Sequence, residues 1–141
     1  HNTINLSDAV TLGPNAGMSA NILVTSSAVT GTDLRNNNLV NSTNFAISGS
    51  FAYNIYIVSG VTGISNYNNF GGTGTATTTR SIGYDGTANR LTLAAWQSAT
   101  TLDPNSQNVT PVFVSNTYPP DLHQQMLPPM LRLFAVGRQS L

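Results

Sequence analysis

NFAISGSFAYNIYIV, residues 44–58, is the stretch that decides the fold class. Its large apolar residues alternate with small or polar ones, and they are Phe45, Ile47, Phe51, Tyr53, Ile55 and Ile57. A period of two places successive side chains on opposite faces of a strand, whereas a helix would spread these residues around its circumference. The pattern predicts one long strand, or two strands bent by a bulge at Gly49, with the six large residues in one apolar layer.

Outward from this stretch, further segments show the same β character. Strands are predicted at residues 3–12, 21–25, 80–84, 90–96, 111–115 and 130–136. Residues 85–89 are typical of a hairpin loop, and the Asn-, Gly- and Thr-rich residues 66–79 indicate a long exposed loop. No internal repeat is evident. About seven or eight strands without a long helix predict an all-β fold, namely an antiparallel β-sandwich of the jelly-roll type.

The composition limits the classes of protein to which the chain can belong. Its 141 residues predict a single domain over residues 1–141. It has no Lys, Glu or Cys, and five Asp balance five Arg, so we expect neither disulfides nor electrostatic binding to nucleic acid. No apolar run reaches about 18 residues, so membrane insertion is not expected. Because the chain opens on His1, we expect a processed mature form or an excised fragment of a longer chain.

No cluster of residues indicates catalysis or metal binding. His1 and His123 are the two imidazoles, and a copper site formed by an N-terminal His is the alternative to His1 being left by processing or cloning. Asp121 lies two residues before His123, a poor position from which to orient it, and no nucleophile elbow is present. The sequence therefore predicts no catalytic residues, no metal and no cofactor.

Two loop aromatics are the candidate ligand-binding residues. Tyr53 and Trp96 lie in strand patterns and are expected in the core. Tyr67 and Phe70 lie in the predicted loop without an adjacent core pattern, so we expect them to contact a ligand such as a glycan.

The last predicted strand is the candidate subunit interface. Residues 130–136 are apolar on both faces, which is typical of a strand buried on both sides. Met130, Arg132 and Phe134 share one face, and we expect them to contact another subunit, with Arg132 paired there because a buried charge needs a partner. The expected assembly is a homotrimer.

These features together favour a non-enzymatic structural or attachment domain. A neutral chain without Lys or Glu has little charge repulsion between its copies, so self-association is expected. We expect a domain of a virion surface, such as a fibre or spike tip, a capsid protrusion or a decoration subunit, in contact with a host-surface glycan or receptor. The alternatives are a secreted, pilin-like filament subunit that assembles by strand addition, and a carbohydrate-binding module. All of these classes place the protein outside the cell or on a virion.

Overall fold

The computed structural model describes residues 2–11, 14–58, 63–115 and 121–124 of the chain. The chain divides into two compact units, residues 1–110 and 111–141. The elements of the first unit are β1 (Thr3–Leu6), β2 (Ala9–Val10), β3 (Met18–Val24), β4 (Thr32–Arg35), β5 (Asn38–Asn41), β6 (Asn44–Phe45), β7 (Ser50–Ile57), β8 (Gly63–Asn66), β9 (Asn69–Gly71), β10 (Thr78–Tyr84), β11 (Asn89–Arg90) and α1 (Leu93–Thr100). Strands dominate, so the predicted all-β class is confirmed. The single domain expected from the length stays a prediction.

The strands of the first unit stack in parallel as the chain winds through successive turns. The first turn, β1 to β4, lies in register on the second turn, β5 to β8, through four parallel pairings. In the third turn, β9 pairs with β5 and β10 pairs with β7, again in parallel. A chain that returns to the same positions with parallel neighbours forms a coil, which is the architecture of a β-solenoid.

The predicted antiparallel pairing is wrong for most of the described strands. The antiparallel pairs in the described ranges are β10 with β11 and a short pair in the second unit. The first of these is the predicted hairpin, in which Gly83 pairs with Arg90 and Tyr84 with Asn89. The sandwich and jelly-roll topologies are not confirmed. Alternation shows that a segment is a strand, but it carries no information about the direction of its partner.

An internal repeat, missed in the sequence, closes one corner of the coil. The Asn37 backbone N–H donates to Asn68 Oδ1 at 2.9 Å, across 31 residues. Equivalent bonds run from Asn2 N–H to Asn37 Oδ1 at 3.2 Å and from Asn68 N–H to Ser106 Oγ at 2.8 Å. We call Asn2, Asn37, Asn68 and Ser106 the corner ladder. The side chains of Asn37, Asn68 and Ser106 each accept from a backbone N–H of the preceding turn, which fixes the register between turns.

A second amide ladder crosses the interior. Asn54 is fully buried, and its Nδ2 lies 3.0 Å from the carbonyl oxygen of Leu39 and 3.1 Å from Asn21 Oδ1. The Arg80 guanidinium donates to Asn54 Oδ1 at 3.0 Å and to the Phe70 carbonyl at 2.5 Å. The cation therefore extends the amide ladder into the third turn, with neutral oxygens as its acceptors.

This ladder overturns the prediction of one apolar face along β7. Asn54 bonds to the interior strand β5, and the next residue, Ile55, lies in the buried apolar cluster with Leu39. Two consecutive residues thus point inward, so the alternation changes phase between Tyr53 and Ile55. Phe51 and Tyr53 form a stack with each other instead of joining that cluster. The six large residues therefore do not share one layer.

The apolar core of the first unit is small and lies between the sheets and the helix. Its buried members are Leu39, Ile55, Phe70, Ile82 and Trp96. Residues at equivalent positions in successive turns contribute to it, because Ile4 pairs in register with Leu39 and Leu39 with Phe70. The core therefore contains apolar side chains stacked from one turn to the next, as Ile4, Leu39 and Phe70 are.

Helix α1 covers the third turn, where residues 90–96 were predicted to form a strand. Thr92 caps the helix by accepting a hydrogen bond from the Ala95 N–H, and Thr101 ends it with a left-handed backbone. Trp96 is buried against Gly83 of β10, where a Cβ would lie 2.4 Å from the indole ring. The prediction was wrong because the Ala-rich segment after a capping Thr favours a helix.

The second unit contains β12 (Phe113–Ser115) and β13 (Asp121–Gln124), which form a two-stranded antiparallel sheet. The strand predicted at residues 111–115 is confirmed at β12. The predicted interface residues Met130, Arg132 and Phe134 lie outside the described residues, as does His1. The side chain of His123 also lies outside the described part of the chain.

Candidate functional site

The structure separates the two predicted ligand-binding aromatics. Phe70 is 0% exposed in β9, so its ring is part of the core and is not available to a ligand. Tyr67 is 58% exposed, so its part in the prediction stands as a prediction. Residues 66–79 were expected to be one loop, but Asn69–Gly71 is a strand of the coil. Three residues of separation are enough to place one ring outside and the other inside.

Tyr67 owes its exposure to the corner of the coil. Its backbone is left-handed, with φ 55°, and the equivalent residue of the preceding turn, Asn36, has φ 58°. The bend directs residue 67 outward while Asn68 turns inward to the corner ladder. Such a conformation is uncommon for a Tyr, so the corner holds it at some energetic cost.

A row of aromatic rings lies on β7 and β10. Phe51 and Tyr53 are stacked with ring centroids 5.5 Å apart, and Tyr53 meets Tyr56 edge-to-face at 5.3 Å. Tyr56 is stacked on Tyr84 of the neighbouring strand at 4.7 Å. We call Phe51, Tyr53, Tyr56 and Tyr84 the aromatic row. Its ring geometries are those that aromatic pairs prefer.

Apolar residues of β3 extend this row. Met18 pairs in register with Phe51, and Leu23 pairs with Tyr56. Met18 is 46% exposed and Leu23 55% exposed, while Phe51, Tyr56 and Tyr84 are partly exposed. None of these five residues is an Asp, Glu, Lys, Arg or His. Together they form a neutral, aromatic and apolar surface across three turns of the coil.

Tyr53 anchors the row. Its hydroxyl donates to Asn89 Oδ1 at 2.9 Å, which ties β7 to the hairpin strand β11. Burial, with smaller contributions from Tyr56 and Tyr84, raises the pKa of Tyr53 to about 12. The phenol therefore stays neutral over the whole physiological range and acts as a hydrogen-bonding group rather than as an acid.

Two of the described carboxylates are held by arginine. The hydrogen bond from Arg35 lowers the pKa of Asp33 in an exposed pair. Burial alone would raise the pKa of Asp85, but hydrogen bonds from Thr87, Ala88 and Arg90 outweigh it and lower the pKa. The Asp85 carboxylate accepts hydrogen bonds from the backbone N–H groups of Thr87 and Ala88, which closes the predicted hairpin turn. Both carboxylates are occupied by local structural contacts.

Asp103 is a buried carboxylate that joins the helix to the coil. It is 0% exposed and has a left-handed backbone with φ 60°. Its Oδ2 accepts from Trp96 Nε1 at 2.9 Å, and its Oδ1 accepts from Asn68 Nδ2 at 3.0 Å and Ser106 Oγ at 2.7 Å. Its N–H donates to the Ser65 carbonyl at 2.8 Å. The carboxylate is satisfied by neutral donors and is closed to substrate.

The described ranges contain no group of three or more His, Cys, Asp or Glu residues arranged to hold a metal ion. Among the same residues, no helix is long and apolar enough to cross a membrane. Scans of protein-family models, curated proteins and solved structures each found no match. Function is therefore inferred from the geometry of the coil and its surface.

The aromatic row was missed in the sequence because its members come from two strands. Tyr56 and Tyr84 become neighbours only when β10 is laid in parallel on β7. The available signal was the repeated Asn-Asn-apolar pattern of residues 37–39 and 68–70, which gives the length of a turn. The expectation that Trp96 lies in the core is confirmed, since it is 1% exposed.

Proposed function

We propose that this chain is a non-enzymatic structural and attachment domain of an extracellular or virion surface, such as a fibre or spike. In this proposal the coil is a rigid scaffold, and the aromatic row is the surface that contacts a host-surface glycan or receptor. The observation that carries the proposal is the aromatic row, in which Phe51, Tyr56 and Tyr84 are partly exposed and Tyr53 is buried. Met18 and Leu23 flank it on β3. Contiguous apolar surface of this kind marks contact sites, and Tyr, Phe and Met are enriched in them.

The use of charged groups in the coil supports a scaffold. Asp85 and Asp103 accept hydrogen bonds that close a turn and hold the helix, and Arg80 binds main-chain and amide oxygens. A catalytic acid or base needs access to substrate and a proton it can exchange. These buried or occupied groups instead stabilise the architecture, which supports a binding role for the outer surface.

A binding assay on an array of neutral and acidic glycans tests the proposal. The wild-type protein should bind a neutral glycan, and Tyr84→Ala should weaken binding by about tenfold or more, since an aromatic anchor contributes at least about 1.4 kcal/mol. Tyr67→Ala is the discriminating variant: it removes the exposed ring that the sequence predicted as the contact and that lies outside the aromatic row, and binding should be unchanged. Far-ultraviolet circular dichroism checks that both variants keep the β fold.

Three results would count against the proposal. In the first, the wild-type protein binds no glycan and no receptor-bearing cell. In the second, Tyr67→Ala removes binding and Tyr84→Ala does not. Release of new reducing ends from a bound glycan would contradict the non-enzymatic role. In the second case the loop aromatic predicted from sequence, and not the aromatic row, is the contact.

The other two classes remain distinguishable by assembly state. A homotrimer held by residues 130–136 is the assembly we propose for a fibre tip, and Arg132→Glu should dissociate it. A filament subunit would polymerise by strand addition, and a carbohydrate-binding module would stay monomeric. Light scattering after size-exclusion chromatography separates trimer, polymer and monomer in one experiment.

A further inference from the structure

Two tyrosines of the aromatic row form a stacked pair between neighbouring turns of the coil. Tyr56 lies in β7 and Tyr84 in β10, and their Cα atoms pair in register in the parallel sheet. Their ring centroids are 4.7 Å apart and their ring planes differ by 19°. Neighbouring strands lie about 4.7–4.9 Å apart, so the spacing of the rings follows that of the strands. The two phenols are therefore held side by side by regular backbone and not by a loop.

Both rings of this pair are accessible to solvent, whereas that of Tyr53 is not. Tyr56 and Tyr84 are partly exposed, and Tyr53 is 5% exposed. The hydroxyl of Tyr53 is bonded to Asn89, and its ring meets Tyr56 edge-to-face. Within the described ranges, the hydroxyls of Tyr56 and Tyr84 make no hydrogen bond. An oxidant can therefore remove a hydrogen atom from either phenol of the stacked pair.

Two oxidised phenols at this distance can couple to each other. Each phenol loses one electron and one proton and becomes a tyrosyl radical. A carbon–carbon bond then forms between the ring carbons ortho to the two oxygens, and the hydrogen on each of these carbons moves to the phenol oxygen, which restores both aromatic rings. The product is dityrosine. The two electrons and two protons that leave reduce one molecule of hydrogen peroxide to two molecules of water, a reaction that a haem peroxidase performs.

The composition of the chain leaves this as a route to a covalent cross-link. The chain has no Cys for a disulfide and no Lys for an amide bond to an Asn or Asp side chain. The turns of the coil are joined to each other by hydrogen bonds and packing. A bond between Tyr56 and Tyr84 would join two successive turns covalently. Such a bond stabilises a fold because it restricts the unfolded chain.

We propose that Tyr56 and Tyr84 are a site of oxidative cross-linking, at which a haem peroxidase and hydrogen peroxide join the two rings as dityrosine within one chain. Tyr67 is 58% exposed, but in the described part of the chain no other aromatic ring contacts it, so it can couple only between chains. The proposal rests on the geometry of the pair and does not depend on a glycan or receptor contact, so each can fail without the other.

Peptide mapping after oxidation tests the site. The full chain is treated at low concentration with a haem peroxidase and hydrogen peroxide, and the band of single-chain size is cut from a denaturing gel. This band should show dityrosine fluorescence. Trypsin cleaves after Arg80, so it places Tyr84 in a different peptide from Tyr56. Mass spectrometry should find these two peptides joined, with two hydrogen atoms fewer than their sum, and fragmentation should assign the bond to the two tyrosines.

Two conservative substitutions make the assignment specific. Tyr84→Phe keeps the ring and its stack but removes the phenol, so the single-chain band should lose its dityrosine fluorescence. Tyr67→Phe is the matched control and should keep both the fluorescence and the joined peptides. Circular dichroism shows whether each variant keeps the β signal. Cross-links in the wild-type protein that occur only between chains, or that join Tyr53 instead of Tyr56, would overturn the proposal. Undiminished single-chain fluorescence in Tyr84→Phe would also overturn it.

Urea denaturation of the oxidised protein shows whether the bond forms in the native fold. The single-chain product should unfold at a higher urea concentration than the untreated protein, as followed by circular dichroism, because its unfolded chain is restricted. The oxidised Tyr84→Phe variant should show no such rise. A lower midpoint for the cross-linked wild-type protein would overturn the proposal, because the rings would then have left their native positions to couple.

Discussion

Replacing Asp103 with Asn tests whether the buried carboxylate holds helix α1 to the coil. The substitution keeps the shape of the side chain and suits the left-handed backbone, which Asn tolerates as well as Asp does. Trp96 Nε1 is a donor only, and Asn68 Nδ2 is also a donor. Since one carboxylate oxygen serves Trp96 and the other serves Asn68 and Ser106, the new NH₂ group must face a donor in either orientation.

The expected loss of stability follows from that mismatch. Leaving one buried donor without an acceptor costs about 1–3 kcal/mol. An amide costs less to bury than a carboxylate, which offsets part of the loss and favours the lower half of this range. We therefore expect Asp103→Asn to reduce the free energy of unfolding by about 1–2 kcal/mol. Asp103→Ala removes the acceptor for all three donors and should cost more.

Urea denaturation followed by tryptophan fluorescence measures this directly. Trp96 is the one tryptophan of the chain and is 1% exposed, so its emission reports unfolding around helix α1. Asp33→Asn is the matched control, because the same chemical change in an exposed pair should leave the midpoint unchanged. A shift of less than about 0.5 kcal/mol for Asp103→Asn would refute the reasoning, since the carboxylate would then not be the centre of this contact.

Three further outcomes are expected from single substitutions. Gly83→Ala should destabilise the protein by about 1–3 kcal/mol in the same denaturation assay, because the added Cβ meets the ring of Trp96; an unchanged midpoint would show that the helix can move away. The pKa of Asp85 is lowered in the fold, so its contribution to stability is present above about pH 4 and is lost as the pH falls further; Asp85→Asn should flatten the acid limb of a pH–stability profile, and an unaltered limb would contradict this. Thr3→Asn should stabilise the coil by about 1 kcal/mol, since Thr3 is the register partner of Asn38, whose buried Nδ2 has no hydrogen-bond acceptor among the described residues; a lower unfolding midpoint would show that the added amide does not reach it.

Part of the strand pattern was predictable from sequence, whereas the short strands β4, β5, β8 and β9 were missed. Alternation identified β7, and the turn residues 85–89 identified the hairpin that β10 and β11 form. These are local signals, in which side-chain period and turn chemistry act over a few neighbouring residues. The all-β class followed from them.

The pairing of the strands was not predictable by the same means. The partner of Asn37 in the next turn lies 31 residues away, and that of Asn21 lies 33 residues away. Asn residues usually mark turns and surfaces, so their concentration suggested exposed loops. In the coil they are buried because each meets backbone and amide groups of the adjacent turns, a condition that cannot be read from a single segment.

The candidate site shows the same division. The exposure of Tyr67 agrees with the loop expected there, while Phe70 is in the core because Asn69–Gly71 forms a strand on β5. The aromatic row depends on parallel stacking of β10 on β7, which the sequence did not predict. A single segment shows that an aromatic residue is present. Whether its ring is buried or exposed depends on the residues that pair with it from the adjacent turn.

The amide ladders make the hydrogen bonds between turns of the coil insensitive to pH and salt concentration. Amide and hydroxyl groups do not titrate in water, and their hydrogen bonds are not screened by salt as ion pairs are. Burial lowers the pKa of Arg80, the cation of the interior ladder, but a guanidinium is so strong a base that it stays protonated at physiological pH. The bonds between turns should therefore depend little on pH and on salt concentration, while the Asp33–Arg35 and Asp85–Arg90 ion pairs should weaken as the salt concentration rises.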